Sequence, residues 1–277
     1  MRYSPVNAYY FFKLIQRMRQ ILPPWMPSVG KVGTFLSRID LHPAGPGLPA
    51  LKRQPSRANV MLRQHVMEVL GTLDDPAAGA LVGEWLDRQL EGKAPIEIQI
   101  ELAAAAAARK EPAVAERLAR WQAALKTDDP LAKYRVALAG GDAEKGRELF
   151  RFHIAQCIKC HSVDRDGGNA GPDLKGVGLR LRRIDILESI ITPNAVVVPG
   201  FGVATVTLSD GSTLQGSLLK NDPKDGVLLK LADNNEKAIP AAQIASITPP
   251  ISPMPPMGAV LNSTELRDVM AYLQSLR

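Results

Sequence analysis

From Asn59 to about Lys126 the apolar positions fall at helical spacing. Met61, Leu62, His65, Val66, Val69 and Leu70 make a first stripe. Asp74-Asp75-Pro76 interrupts it, since aspartate caps a helix start and proline suits a first helical turn. Ala80, Leu81, Trp85, Leu86 and Leu90 make a second stripe, and Gly92 and Pro95 separate it from a third segment, Ile96 to Arg109. Glu111-Pro112 opens a fourth, with Val114, Leu118, Trp121 and Leu125. The pattern predicts short antiparallel helices joined by tight turns. Further helices are expected over Gly141 to Phe152 and near the C-terminus, where Leu266, Val269, Met270, Tyr272 and Leu273 share a face. Between them, from about Gly200 to Pro249, the period changes to two. Ala204, Val206 and Leu208 alternate, as do Leu214, Gly216 and Leu218, and then Val227, Leu229 and Leu231, with Ile239 beyond. The turns Ser209-Asp210-Gly211-Ser212 and Asp233-Asn234-Asn235 make these runs consecutive hairpins.

The fold class expected is therefore mainly α with a small β insertion. The paired helices of residues 59–127 resemble HEAT-type repeats, which stack to bury a shared face. The four or five short strands of residues 200–249 suggest a small SH3-like barrel. Residues 1–58 follow neither pattern. They hold nine Lys/Arg against one acid, Asp40, and eight of the 22 prolines, and are expected to be a basic, poorly ordered leader. The other 219 residues carry a net charge of −2, so the formal net charge of +6 does not coat a folded surface and nucleic acid is not an expected partner. No run of 18 apolar residues exists, which excludes a transmembrane helix. Residues 9–22 have the makings of a basic amphipathic helix able to touch an anionic membrane surface. The same region is a poor secretory signal, being broken by Pro5, Asn7 and Lys13.

Chemistry concentrates at Cys157-Ile158-Lys159-Cys160-His161. These are the two cysteines of the chain, so a disulfide framework is excluded. C-x-x-C-H is the attachment pattern of haem c: two thiols on one turn add across two vinyl groups, and the adjacent imidazole falls over the iron. A thioredoxin-like dithiol would sit after a strand in a βαβ unit, and zinc would need a fourth ligand. His153 reads as a surface histidine and His65 as a core or boundary one. A distal ligand is expected downstream, in Ser252-Pro253-Met254-Pro255-Pro256-Met257-Gly258. Met254, a thioether in a rigid proline-rich stretch, is the first choice and Met257 its competitor. Arg180, Arg182 and Arg183 are candidates for holding propionates, or a solvated helix start.

These motifs in combination resemble a class I c-type cytochrome domain of the planctomycete and verrucomicrobial type, covering residues 139–277. The resemblance rests on Gly141 to Phe150, Cys157 to His161, Gly171-Pro172-Asp173-Leu174, Glu188-Ser189-Ile190 with Pro193-Asn194, Met254-Pro255, and Asp268 to Leu273. Such domains are often fused to sugar-dehydrogenase-like propellers and helical repeats, and carry a similar β insert. The resemblance implies one haem c per chain, bound by Cys157 and Cys160 and ligated by His161 and Met254. It implies a Pro172 carbonyl against the His161 ring N–H, and Gly146 and Phe150 crossing Val269 and Tyr272. The 93-position interval from His161 to Met254 shrinks to about 43 without the insert, which suits a small haem domain. The implied function is one-electron transfer, from a periplasmic dehydrogenase to another cytochrome or oxidase, without a catalytic base or substrate pocket. A five-coordinate haem sensor or peroxidase, and an interaction scaffold with accessory haem, are the alternatives. Haem attachment implies an extracytoplasmic location, and the weak export signal leaves three expectations: a true start upstream, an unusual leader, or the C-terminal portion of a larger exported protein, which the frequent fusions of the resembled family favour.

Overall fold

In the computed structural model, residues 57–125 and 128–277 are described. The expectations for residues 1–56, including membrane contact through 9–22, lie outside the described residues, while Arg57 and Ala58, expected to end the leader, begin the first helix instead. Among the described residues four helices come first: α1 (Arg57–Thr72), α2 (Pro76–Leu90), α3 (Gln99–Ala108) and α4 (Pro112–Ala124). The predicted third helix starts differently. Ile96–Ile98 is a 3-10 turn and the α-helix begins at Gln99. Asp75 caps α2, its Oδ1 accepting from the Ala77 amide at 2.7 Å, with Pro76 in the first turn. α1 packs on α3 and α2 on α4, and Met67, Leu70, Leu86, Ile98, Leu102 and Trp121 lie in one buried cluster between them. The polar lock on this unit is Arg109. Its guanidinium donates to the carbonyls of Leu70 (3.2 Å), Leu73 and Asp75 (2.9 Å) and pairs with Glu111. It thereby adds a partner to the Leu70 carbonyl in the last turn of α1 and ties that end to the start of α2.

A seven-residue 3-10 turn, Ala132–Leu138, leads to the second unit. This holds α5 (Ala143–Phe152), the single turn α6 (Cys157–Cys160), a ribbon of β1 (Ser162–Val163) and β2 (Asp166–Gly167), α7 (Val177–Arg180), α8 (Arg183–Ile191) and α9 (Ser263–Ser275). Asp142 and Asn262 cap α5 and α9, and Glu265 closes a capping box at α9. α5 crosses α9 with no space to spare. A Cβ on Gly146 would collide with the Asp268 carbonyl, and the Phe150 and Tyr272 rings sit 5.5 Å apart between centroids. Leu187, Ile190, Leu266, Met270 and Leu273 complete this core.

α9 also reaches the first unit. Arg267 donates from both Nη atoms to Glu101 on α3, at 3.1 and 2.7 Å, and both side chains are 6% exposed. Arg63 pairs with Glu97 at 3.0 Å beside them, and Gln64 Nε2 donates to the Glu97 carbonyl.

The β region emerges between α8 and α9 as one antiparallel sheet in the order β6-β5-β4-β3-β7. Its strands are β3 (Val203–Leu208), β4 (Thr213–Asp222), β5 (Gly226–Lys230), β6 (Glu236–Pro240) and β7 (Ile244–Ile247). Val206, Val227, Leu229 and Ile239 form its own buried cluster. The turns follow their residues: Gly211 (φ +87°) and Asn234 (φ +65°) take the left-handed positions in the β3–β4 and β5–β6 connections.

Candidate functional site

A cavity of about 640 Å³ lies against α9, lined mostly by apolar side chains including Phe150, Ile186, Val269 and Leu273. Its size is within the roughly 300–1,000 Å³ of a small-molecule or cofactor site. Cys157, Cys160, His161, Pro172, Met254 and Met257 all line it.

The cysteine turn is built by a local device. Gln156 takes left-handed backbone geometry (φ +54°), and α6 follows at once, so both thiols stand on one turn. The His161 amide donates to the Cys157 carbonyl at 2.9 Å, closing that turn. Cys157 is half-buried and Cys160 exposed. Burial pushes the Cys157 thiol above its ordinary pKa, and the neighbouring Cys160 adds to the shift. Among the described residues no group of three or more His, Cys, Asp or Glu converges as a metal-binding cluster, so Cys157, Cys160 and His161 do not assemble a zinc site.

The loop after α6 folds back over it. Gly168 N donates to the Ile158 carbonyl, Gly171 N to Cys160, and Leu174 N to Ser162, at 2.8 to 2.9 Å. Gly171 has to be glycine, because a Cβ there would lie 2.7 Å from His161 Cε1. His161 Nδ1 lies 2.9 Å from the Pro172 carbonyl oxygen. A carbonyl oxygen only accepts, so Nδ1 carries the proton and Nε2 keeps its lone pair for a ligand. Asp173 accepts from the Lys175 amide at 2.6 Å and from Ser162 Oγ at 3.1 Å. The Lys175 amide bond is the main reason its carboxyl stays below the ordinary range.

The other thioether-bearing stretch, residues 252–257, also borders the cavity. Met254 is half-buried and its amide donates to Ser252 Oγ at 3.2 Å. Met257 is 7% exposed and heads a 3-10 turn inside the core around α9. Of the three arginines singled out, Arg180 lines the cavity, held by the Lys175 and Asp173 carbonyls. Arg182 is engaged with Asp185 at the exposed start of α8. Arg183 is half-buried, and burial lowers the pKa of its guanidinium. His153 is not a free surface histidine. Its Nδ1 accepts from the Ala155 amide at 3.2 Å, and its Nε2 lies 3.6 Å from Glu265 on α9.

Sequence reasoning missed Gly168, whose absent Cβ lets the loop close on Lys159, and Asn194 as a contact of residue 252. The signal for Gly168 was in plain sight as Gly167-Gly168. Nothing local pointed to the Asn194 contact.

The donor set fits a covalently held haem: two thiols on one turn, an imidazole with its free nitrogen oriented, and an apolar slot beside them. No helix among the described residues is long and apolar enough to cross a membrane. The family model for cytochrome c matches residues 143–205. A cytochrome c of Gibberella zeae is 27% identical over 138 residues, half of this chain and 96% of that protein.

Proposed function

We propose, from the cytochrome c domain in residues 143–205, that this chain is an electron carrier with one haem c held by residues 139–277. Cys157 and Cys160 would hold the group through thioethers, and His161 and Met254 would supply its nitrogen and sulfur ligands. When bound, haem supplies a one-electron iron couple whose potential a His/Met pair raises.

The chain's residues do the rest. The Pro172 carbonyl fixes the His161 tautomer and adds to the basicity of Nε2. Phe150, Val269 and Leu273 keep water from the group and so favour the less charged state of the iron. Residues 59–127 form a HEAT-like docking unit, and residues 200–249 an SH3-like barrel inserted in the haem domain. The strand order β6-β5-β4-β3-β7 supports the barrel reading. The donor is a dehydrogenase and the acceptor another cytochrome or an oxidase, outside the cytoplasm, as in the planctomycete and verrucomicrobial type.

The observation that carries this reading is the oriented His161 beside the cysteine turn, in one cavity that Met254 also lines. The test is an optical spectrum of protein matured with haem-ligation machinery. Covalent, low-spin haem that ignores carbon monoxide is expected. Covalent haem that binds carbon monoxide at once would point to a five-coordinate sensor or peroxidase, and no covalent haem would end the cytochrome reading.

A further inference from the structure

The stretch carrying Met254 leaves the β sheet directly. Val203 and Ile251 exchange two backbone hydrogen bonds, each 2.9 Å, and so tie the first strand of the sheet to the chain that leaves it. One residue on, the Ser252 amide donates to Asn194 Oδ1 at 2.8 Å, reaching 58 residues back to the loop after α8. Ser252 Oγ then accepts from the Met254 amide at 3.2 Å. Proline fills positions 253, 255 and 256 and brings no N–H. The amides of Ser252 and Met254 are therefore the whole supply of backbone donors from 252 to 256, and this relay uses both.

We infer that Asn194 is the positioning residue for Met254, setting the thioether at the cavity through Ser252 and coupling it to the foot of the β sheet. The inference rests on Met254 being the distal ligand. Asparagine suits the task because its side-chain carbonyl oxygen accepts from the Ser252 amide. The sheet is coupled on its other side too. Val197 and Val198 line the cavity on one face and, on the other, a groove of about 280 Å³ walled by Leu218, Leu219 and Pro250.

The experiment compares the haem-loaded wild type with Asn194→Ala, Asn194→Asp and Met254→Leu. It reads the thioether-to-iron(III) charge-transfer band, ferrous carbon monoxide affinity and covalent haem yield. Asn194→Ala should keep covalent haem, weaken the band and raise carbon monoxide affinity about five- to tenfold, the effect of losing one hydrogen bond. Asn194→Asp keeps the acceptor and should stay close to wild type, a rescue that a general packing role would not produce. If Met254→Leu opens the site while Asn194→Ala matches wild type, the positioning role is overturned and the ligand stands. If Met254→Leu changes neither the band nor the affinity, the ligand assignment itself fails and takes the positioning role with it. Should Asn194→Ala not fold, Ser252→Ala breaks the second bond of the relay with Asn194 in place; an unchanged band there also overturns the inference.

Discussion

The two segments that bring His161 and Met254 to the cavity are made in different ways. The His161 side is closed by contacts within one short stretch: α6, the loop over it, and a bond to Pro172 only 11 residues away. The Met254 side is held by a bond spanning 58 residues, from the foot of a separate sheet to the end of α8. A local segment can form before the rest of the fold is complete. A segment held across 58 residues needs the fold on both sides of it, and its ordering entropy is met only by long-range contacts. The His161 side should thus be hard to alter without losing the group, and the Met254 side should be adjustable.

The largest expected effect breaks the local side. His161→Ala should abolish low-spin haem even where the thioethers form, as a spectrum of the oxidised protein would register. Next is the buried pair that fixes α9. Glu101→Ala leaves Arg267 charged and unpaired at 6% exposure, and should cost about 3–5 kcal/mol in chemical unfolding. The double change Glu101→Leu with Arg267→Met should recover most of that loss. Gly171→Ala is smaller and more pointed. Its Cβ presses on the His161 ring, so the bond from His161 should weaken while haem yield persists, visible as a raised midpoint potential. A loss confined to the Met254 side would reverse the contrast drawn here.

The smallest effect lies outside the cavity. Arg109 holds the Glu111 carboxyl at about 2, below the ordinary 4.5. A lowered folded pKa means the group stabilises above the unfolded value, and that contribution fades as pH falls from about 4.5 to about 2. Acid should therefore loosen α1 to α4 through this pair, with Glu111→Gln flattening that part of the pH profile in helix-monitored unfolding.

What could be read in the sequence was mostly what is local. Asp75-Pro76 announces α2, Glu111-Pro112 announces α4, and Asp210-Gly211 and Asn234 announce turns, because each residue acts on its own backbone. The β1–β2 ribbon gave no such signal. Its turn places Asp164 (φ +51°) and Arg165 (φ +69°) in left-handed geometry without glycine or asparagine, imposed by the chain's return over α6. Ile96–Ile98 kept a helical period yet wound as a 3-10 turn between Pro95 and the helix proper. His153 looked like a surface residue because its partner, Glu265, is distant in sequence. Nothing in α3 foretells that Glu101 meets a guanidinium from 166 residues away. At the site, the cysteines and His161 stand out through their spacing alone, whereas the link from Asn194 to Ser252 exists only once the sheet has formed.

α9 belongs to three neighbourhoods at once. It lends Val269 and Leu273 to the cavity, Tyr272 to the crossing with α5, and Arg267 to Glu101 on α3. Whatever fills the cavity and steadies α9 therefore lowers the local opening rate of α3 as well. Amide protons around Glu101 should exchange with deuterium more slowly in the haem-loaded protein than in the empty one, although Glu101 does not line the cavity. The helical unit is in that sense a remote reporter of the cavity's contents.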